Sequence, residues 1–436
     1  MEKTINESVL QIKSKKITCE SVVKECHQTY NMHKNVNAFL SSNFEAALLK
    51  AKEIDKKINE GKPAGRLAGI PLIIADNIAT TAFPTSCNNK YLKNNHPFFN
   101  ATVVDKLSAE NALILGKGNI SEFGMAAATN ALENSAAAVN LSMCAALICA
   151  DTNGAMRMAA IKNNAVALKP TQGTVSRFGL VAYAGSMEQI GPIAKTVNSC
   201  AAIYNVIAGY DEKEATSINR TYPNFNNSFK NSVQGLKIGI IKELDSLMNN
   251  NEKTLFQQAL SFYKQNGAVV SEVSIPSLPA APVTFQILSS AEAMSNMHKY
   301  DGVKYGEKGR TYPDVNALYT LSRTEGLGSE VKTNIATGAF VLGSGNYENY
   351  YVKALKVREV LKNEIFAALK KCDCILSQIL VDNINNSFLV LQNLTGCPAL
   401  AFPPHTNNEK FGLQLTGAPF SEQTLFNAAD FYQNNK

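Results

Sequence analysis

The sequence predicts an α/β fold, a mixed central β-sheet covered by α-helices, and three observations carry that expectation. Short apolar runs bounded by Gly and Pro alternate with amphipathic stretches of helical length along most of the chain. The 436 residues, 45% hydrophobic and 18% charged, suffice to bury a large core. No internal repeat at the period of about 20–50 residues typical of solenoids breaks the alternation. We therefore expect a single domain over residues 1–436.

Residues from Ile5 to about Glu60 read as an N-terminal helical layer, because Val9, Leu10, Ile12, Val22, Val23 and then Ala46 to Ala51 recur among Lys and Glu at helical spacing. Leu67 to Ile74 is an apolar run after a Gly/Pro turn, the pattern of a strand buried on both faces. Thr102 to Ala109 reads as a helix and Ala112 to Leu115 as a strand. The Ala-rich stretch from Ala136 to Ala150 reads as one long helix carrying Cys144 and Cys149, with Ser135 at its N-cap. Ala165 to Leu168 and Leu236 to Ile241 are further strands. The polar, Asn-rich segment at about 210–233 is a plausible hinge between them. A helix through Leu255 to Phe262, a strand at Ala268 to Val273 and Tyr/Lys-rich helices around Tyr347 to Lys356 complete the pattern, and Cys374 to Leu376 opens another buried strand.

Composition excludes several functions. The net charge of +6 is spread along the chain without a block of consecutive Lys/Arg, so no nucleic-acid arm is expected. The N-terminus lacks a basic region followed by an apolar core, and no run of about 18 apolar residues follows. A cytoplasmic protein without membrane contact is the expectation, and nine irregularly spaced cysteines suit reduced thiols better than disulfides. Cys372 and Cys374 have no second ligand pair nearby, and the five histidines form no HxH or HxxxH array. Neither a metal site nor a cofactor is expected.

Particular blocks say more. Ala68-Gly69-Ile70-Pro71 through Asp76-Asn77, Asp151-Thr152-Asn153-Gly154-Ala155-Met156-Arg157, Leu168-Lys169-Pro170-Thr171 and Gln189-Ile190-Gly191-Pro192 resemble the amidase signature family. Asp301 to Gly306, Ser322 to Gly328 and Tyr350 to Arg358 resemble, within it, the A subunits of tRNA-dependent amidotransferases. The resemblance spans nearly the whole chain. It implies an amidase-signature fold, a role in protein biosynthesis beside B- and C-type partner subunits, and a Ser–cis-Ser–Lys triad. In such a triad a neutral lysine acts through the bridging serine as base for the nucleophile.

Carried over residue by residue, the nucleophile position falls on Ala155 and the lysine position on Ala75. The Gly/Ser-rich loop with the bridging serine is missing ahead of Ser135. The resemblance thus implies a catalytically silent member, a scaffold or binding subunit. The alternatives are a working amidotransferase component or amidase with altered residues, Ser135 among them, and a non-hydrolysing amino-acid sensor. For an amino-acid or amide ligand the resemblance assigns Tyr305 and Arg358 to the two ends of the molecule. It places a weakened ammonium contact near Asn386, and Asp151 and Thr152 beside the nucleophile loop. An Arg fork suits a carboxylate because it donates two parallel charge-assisted bonds. Cys144 and Cys149 have no adjacent cation to lower their pKa and are expected to be inert.

Overall fold

The computed structural model describes residues 3–125, 130–225, 229–305, 312–381, 387–406 and 410–435. Two capping boxes start the N-terminal layer: Thr4 with Glu7 opens α1 (Ile5–Lys13), and Thr18 with Ser21 opens α2 (Cys19–Met32). Asn43 caps α3 (Phe44–Asn59). Between α2 and α3 the chain adds β1 (Phe39–Ser42), so the expected helical layer also supplies an edge strand of the sheet. Four residues are too few for periodicity to announce a strand; β1 forms because β3 (Leu113–Gly118) offers it backbone partners.

The other strands are β2 (Pro71–Ala75), β4 (Ala146–Asp151), β5 (Val166–Lys169), β6 (Gln189–Ala194), β7 (Lys237–Ile241), β8 (Val269–Val273), β9 (Cys374–Leu380), β10 (Ala399–Phe402) and β11 (Phe411–Gly417). They form a mixed sheet in the order β1-β3-β2-β4-β6-β5-β10-β11-β9-β7-β8. The β2/β3, β2/β4, β7/β8 and β7/β9 pairs are parallel and the remaining pairs antiparallel. β2, β5, β6, β9, β10 and β11 are buried at every position, as central strands covered on both faces must be.

The stretch expected as one helix from Ala136 to Ala150 is instead α5 (Ala131–Asn140), a turn, and β4. An all-apolar run fits a buried strand as well as a buried helix. The open sheet position between β2 and β6 decides for the strand. Ser135 consequently sits inside α5 and does not cap it; Asn130 occupies the N-cap. Cys149 is a strand residue, and Cys144 lies in the turn before β4.

Helices α4 (Thr102–Ala109), α6 (Ala155–Lys162), α7 (Val197–Ile207), α8 (Asn250–Gln265) and α14 (Glu422–Asn434) cover the main core. A second core lies among α9 (Ala281–Met297), α11 (Ser329–Leu342), α12 (Lys353–Leu369) and α13 (Ser387–Thr395), with α10 (Val315–Gly326) outside it. All nine cysteines are buried thiols. Among the described residues, no helix is long and apolar enough to cross a membrane and no three His, Cys, Asp or Glu side chains converge as a metal site.

Candidate functional site

Strand order creates the site. β2 is parallel to β4 with Ile74 beside Ile148, and parallel to β3 with Ala75 beside Gly118, so the chain leaves all three strands at one edge of the sheet. β6 is antiparallel to β4 with Gln189 beside Asp151, so its start, preceded by Glu188, lies at that same edge. Ligands of α/β sheets gather outside such carboxyl ends. A cavity of about 100 Å³ opens there, lined by Ala75 and Asn77 after β2, Ile120, Ser121 and Phe123 after β3, Thr152, Asn153 and Ala155 after β4, and Glu188 before β6. Leu132 and Glu133 of α5, Cys149 and Met158 add to the wall.

The turn from β4 into α6 is held from below. Gly154 has φ +90°, and a Cβ there would lie 2.7 Å from Leu389 Cβ, so only glycine fits. The Gly154 N–H donates to Asp151 Oδ1 at 2.9 Å and the Ala155 N–H to Asn153 Oδ1 at 3.2 Å. Arg157 Nε and Nη2 donate to Asp151 Oδ2 and Oδ1 at 3.0 and 3.1 Å, both side chains being fully buried. The remaining guanidinium donors go to Gln392, Gln414, Asn393 and the Leu389 carbonyl. Asn393 Nδ2 in turn donates to Asp151 Oδ1 and to the carbonyls of Asp151 and Met187. Burial alone pushes the Asp151 carboxyl up, but Arg157 and Asn393 outweigh it and hold the group below its ordinary value.

Ala75 is fully buried and Ala155 half-buried, and both residues line the same cavity. The positions that the resemblance assigns to lysine and nucleophile are therefore neighbours in space as well as in motif. Neither carries a group that can act on an amide. Ser135 offers no substitute: its hydroxyl lies 2.8 Å from the carbonyl oxygens of both Ala38 and Asn119, is fully buried, and does not line the cavity. Cys149 does line it, but burial, reinforced by Asp151, holds its thiol well above the ordinary value and so protonated.

Of the five residues expected to hold a ligand, Thr152 lines the cavity and Asp151 braces it from beneath. Arg358 does not line it: its guanidinium donates to the Leu394 carbonyl at 2.6 Å and to the Ser186 hydroxyl and carbonyl at 2.9 Å each. Tyr305 is exposed and, among the described residues, connects to the site through a chain of rings, Tyr305 on Tyr300 and Tyr300 on Phe123. Asn386 lies outside the described residues.

Sequence reasoning missed Glu188, Asn77 and Lys117. Glu188 Oε1 accepts the N–H groups of Tyr183 and Ala184 at 2.8 and 3.1 Å, and burial pushes its carboxyl up to about 7. Lys117, on β3, donates to the Ile78 carbonyl and to Thr85 Oγ1, and burial lowers it to about 8 although Asp76 is near. The signal for Lys117 was a lone charge inside the apolar run Leu113 to Gly118. Glu188 carried no signal, since a single Glu before a strand is ordinarily solvated.

A protein-family model described as Amidase matches residues 20–132 and 135–426. The A subunit of glutamyl-tRNA(Gln) amidotransferase from Thermoanaerobacter pseudethanolicus is 35% identical over 471 residues, covering 99% of this chain and 96% of the relative. Its counterpart from Oceanobacillus iheyensis is 36% identical over 469 residues, with 99% and 96% covered. Both aligned spans exceed the 436 residues present here, so these relatives carry segments without a counterpart in this chain. Among solved structures, the A subunit of the same enzyme from Thermotoga maritima superposes with TM-score 0.79 at 28% identity, covering 99% of this chain and 95% of its own. The peptide amidase of Stenotrophomonas maltophilia superposes with TM-score 0.85 at 23% identity, with 99% and 96% covered, a likeness of fold.

Proposed function

The chain belongs to the amidase family, and on that premise we propose that it works as an A-type component of an amidotransferase-like assembly, binding there without hydrolysing an amide by serine chemistry. The observation that carries the reading is that two alanines, Ala75 and Ala155, line one cavity at the strand ends. A serine hydrolase stripped of its nucleophile loses about 10⁶-fold in turnover, and removing further members costs little more. Around those alanines the loop is framed: Gly154 holds a left-handed turn, and Asp151, Arg157 and Asn393 brace it.

The partners in this proposal are B- and C-type subunits or relatives of them, in the cytoplasm, and the amide nitrogen would come from free ammonium or from elsewhere in the assembly. Thr152 is the proposed contact for a small amide or amino-acid ligand in the cavity, with Arg358 supporting the site through Ser186. Co-purification from the native source tests the assembly. Recovery of B- and C-type subunits supports it, and recovery of nothing related to amidotransferases or tRNA counts against it.

A second reading, an active amidotransferase component with altered catalytic residues, has its own support. The relatives named above are enzymes by name and match over nearly the full length, so the comparisons taken alone favour it over a silent one. Ammonia release from glutamine or asparagine by the purified chain separates the two: turnover above background establishes the second reading and removes the first.

A further inference from the structure

The emptied site is not chemically neutral. Glu188 and Asn77 are 1% and 6% exposed, both line the cavity, and Glu188 Oε2 and Asn77 Oδ1 have no hydrogen-bond partner among the described residues. A buried polar atom without a partner has lost its hydration without recompense, so two of them on residues that line one cavity call for a hydrogen-bonding occupant. Asn77 Oδ1 is an acceptor, and so is Glu188 Oε2 once the carboxyl is ionised; in that state what the pair lacks is a donor.

We propose that this cavity binds a primary ammonium group, ammonium itself or a short alkylammonium, between Glu188 Oε2 and Asn77 Oδ1. The inference rests on the reading above, in which Ala75 and Ala155 leave the cavity open without turning a ligand over. Glu188 is held in place by its other oxygen, which accepts the Tyr183 and Ala184 N–H groups, so Oε2 needs no rearrangement to receive a donor. Its proton affinity is raised by burial, with Arg177 opposing and Glu292 adding to the rise. A cation beside Oε2 supplies the countercharge that the buried carboxylate needs when ionised. The other acidic wall residue, Glu133, is already engaged with Lys162 at 2.5 Å. A metal cation fits less well, because hard cations take about six to eight oxygen ligands where the described wall offers two unpartnered ones. The volume of about 100 Å³ admits ammonium or a short alkylammonium.

The test is a titration of the intact chain with ¹⁵N-ammonium chloride at neutral pH, read by the broadening and shift of the ammonium resonance, with sodium chloride keeping ionic strength constant. The proposal expects saturable binding that potassium chloride does not displace. Glu188→Gln, which keeps an oxygen for the two backbone N–H groups, is expected to weaken binding about tenfold or more, as loss of a hydrogen bond to a charged group does. Ala155→Leu, which fills the cavity from a residue whose side chain makes no hydrogen bond, is expected to block binding; circular dichroism establishes that both variants fold. No saturation by about 100 mM, where a millimolar site is already full, overturns the proposal, as does equal competition by potassium or undiminished binding by Glu188→Gln. Ammonia release from glutamine would remove the non-hydrolysing reading and leave the titration to be judged separately.

Discussion

Asp151 and Arg157 meet as a fully buried ion pair under the loop that carries Ala155, Nε lying 3.0 Å from Oδ2 and Nη2 3.1 Å from Oδ1. Arg157→Leu leaves Asp151 as an uncompensated buried charge and strands acceptors on Gln392, Gln414 and Asn393. Breaking such a pair costs about 3–5 kcal/mol, so urea unfolding should show a correspondingly lower midpoint. A loss below about 1 kcal/mol, the level of an exposed pair, would refute the bracing role.

Glu188 sets a pH dependence. Its carboxyl holds a proton up to about 7 in the fold and releases it near 4.5 when unfolded. Between those values the native state binds more protons than the unfolded one, so stability falls as pH rises through the window and levels off above it. The Tyr183 and Ala184 amides and Arg177 oppose that shift, and Glu292 adds to it. Unfolding free energies of wild type from urea curves across the window should decline by about 1–3 kcal/mol relative to Glu188→Gln; parallel curves for the two proteins would refute it.

Restoring Ala155→Ser and Ala75→Lys together should not bring back hydrolysis, because the bridging serine of the implied triad has no counterpart ahead of Ser135. Ammonia release by the double variant is expected to stay at the level of the parent chain. Activity above it would mean that another hydroxyl completes the triad.

Ser135→Ala removes a buried hydroxyl placed between the carbonyls of Ala38 and Asn119. The expected outcome is a loss of about 1–2 kcal/mol in thermal or urea unfolding, with any ammonia release unchanged. A selective loss of turnover at preserved stability would make Ser135 the nucleophile.

Arg358→Ala cuts three hydrogen bonds that tie α12 to Leu394 and Ser186. Glu292 also holds Ser186, so the loop is gripped from two sides. Faster amide exchange over residues 183–187 is expected in the variant, with a stability loss of about 1–3 kcal/mol. Unchanged exchange there would leave Arg358 free for a ligand role.

Much of this architecture could be read from sequence where a local pattern was strong. β2 and β9 were legible because a short apolar run beside turn residues has few other uses, and α4 because its apolar positions repeat at helical spacing. β4 was not, since Ala146 to Ala150 is apolar on every side and only the neighbouring strands decide its conformation. β1 owes its existence to a partner far along the chain. In the site, Ala75, Ala155 and Thr152 were reached through motif positions. Glu188 escaped because its role comes from burial beside residues 30 or more positions away, which no local window contains.

The nine buried thiols turn the chain into its own stopwatch. Each one titrates above the ordinary cysteine value because it is buried, so an alkylating reagent can reach it only when its surroundings open. Cys19 and Cys26 report on α2, Cys149 on β4, Cys200 on α7, Cys374 on β9 and Cys397 on the stretch before β10. Pulsed alkylation followed by peptide mass mapping would therefore rank the parts of the molecule by how often each one breathes, with no label engineered in.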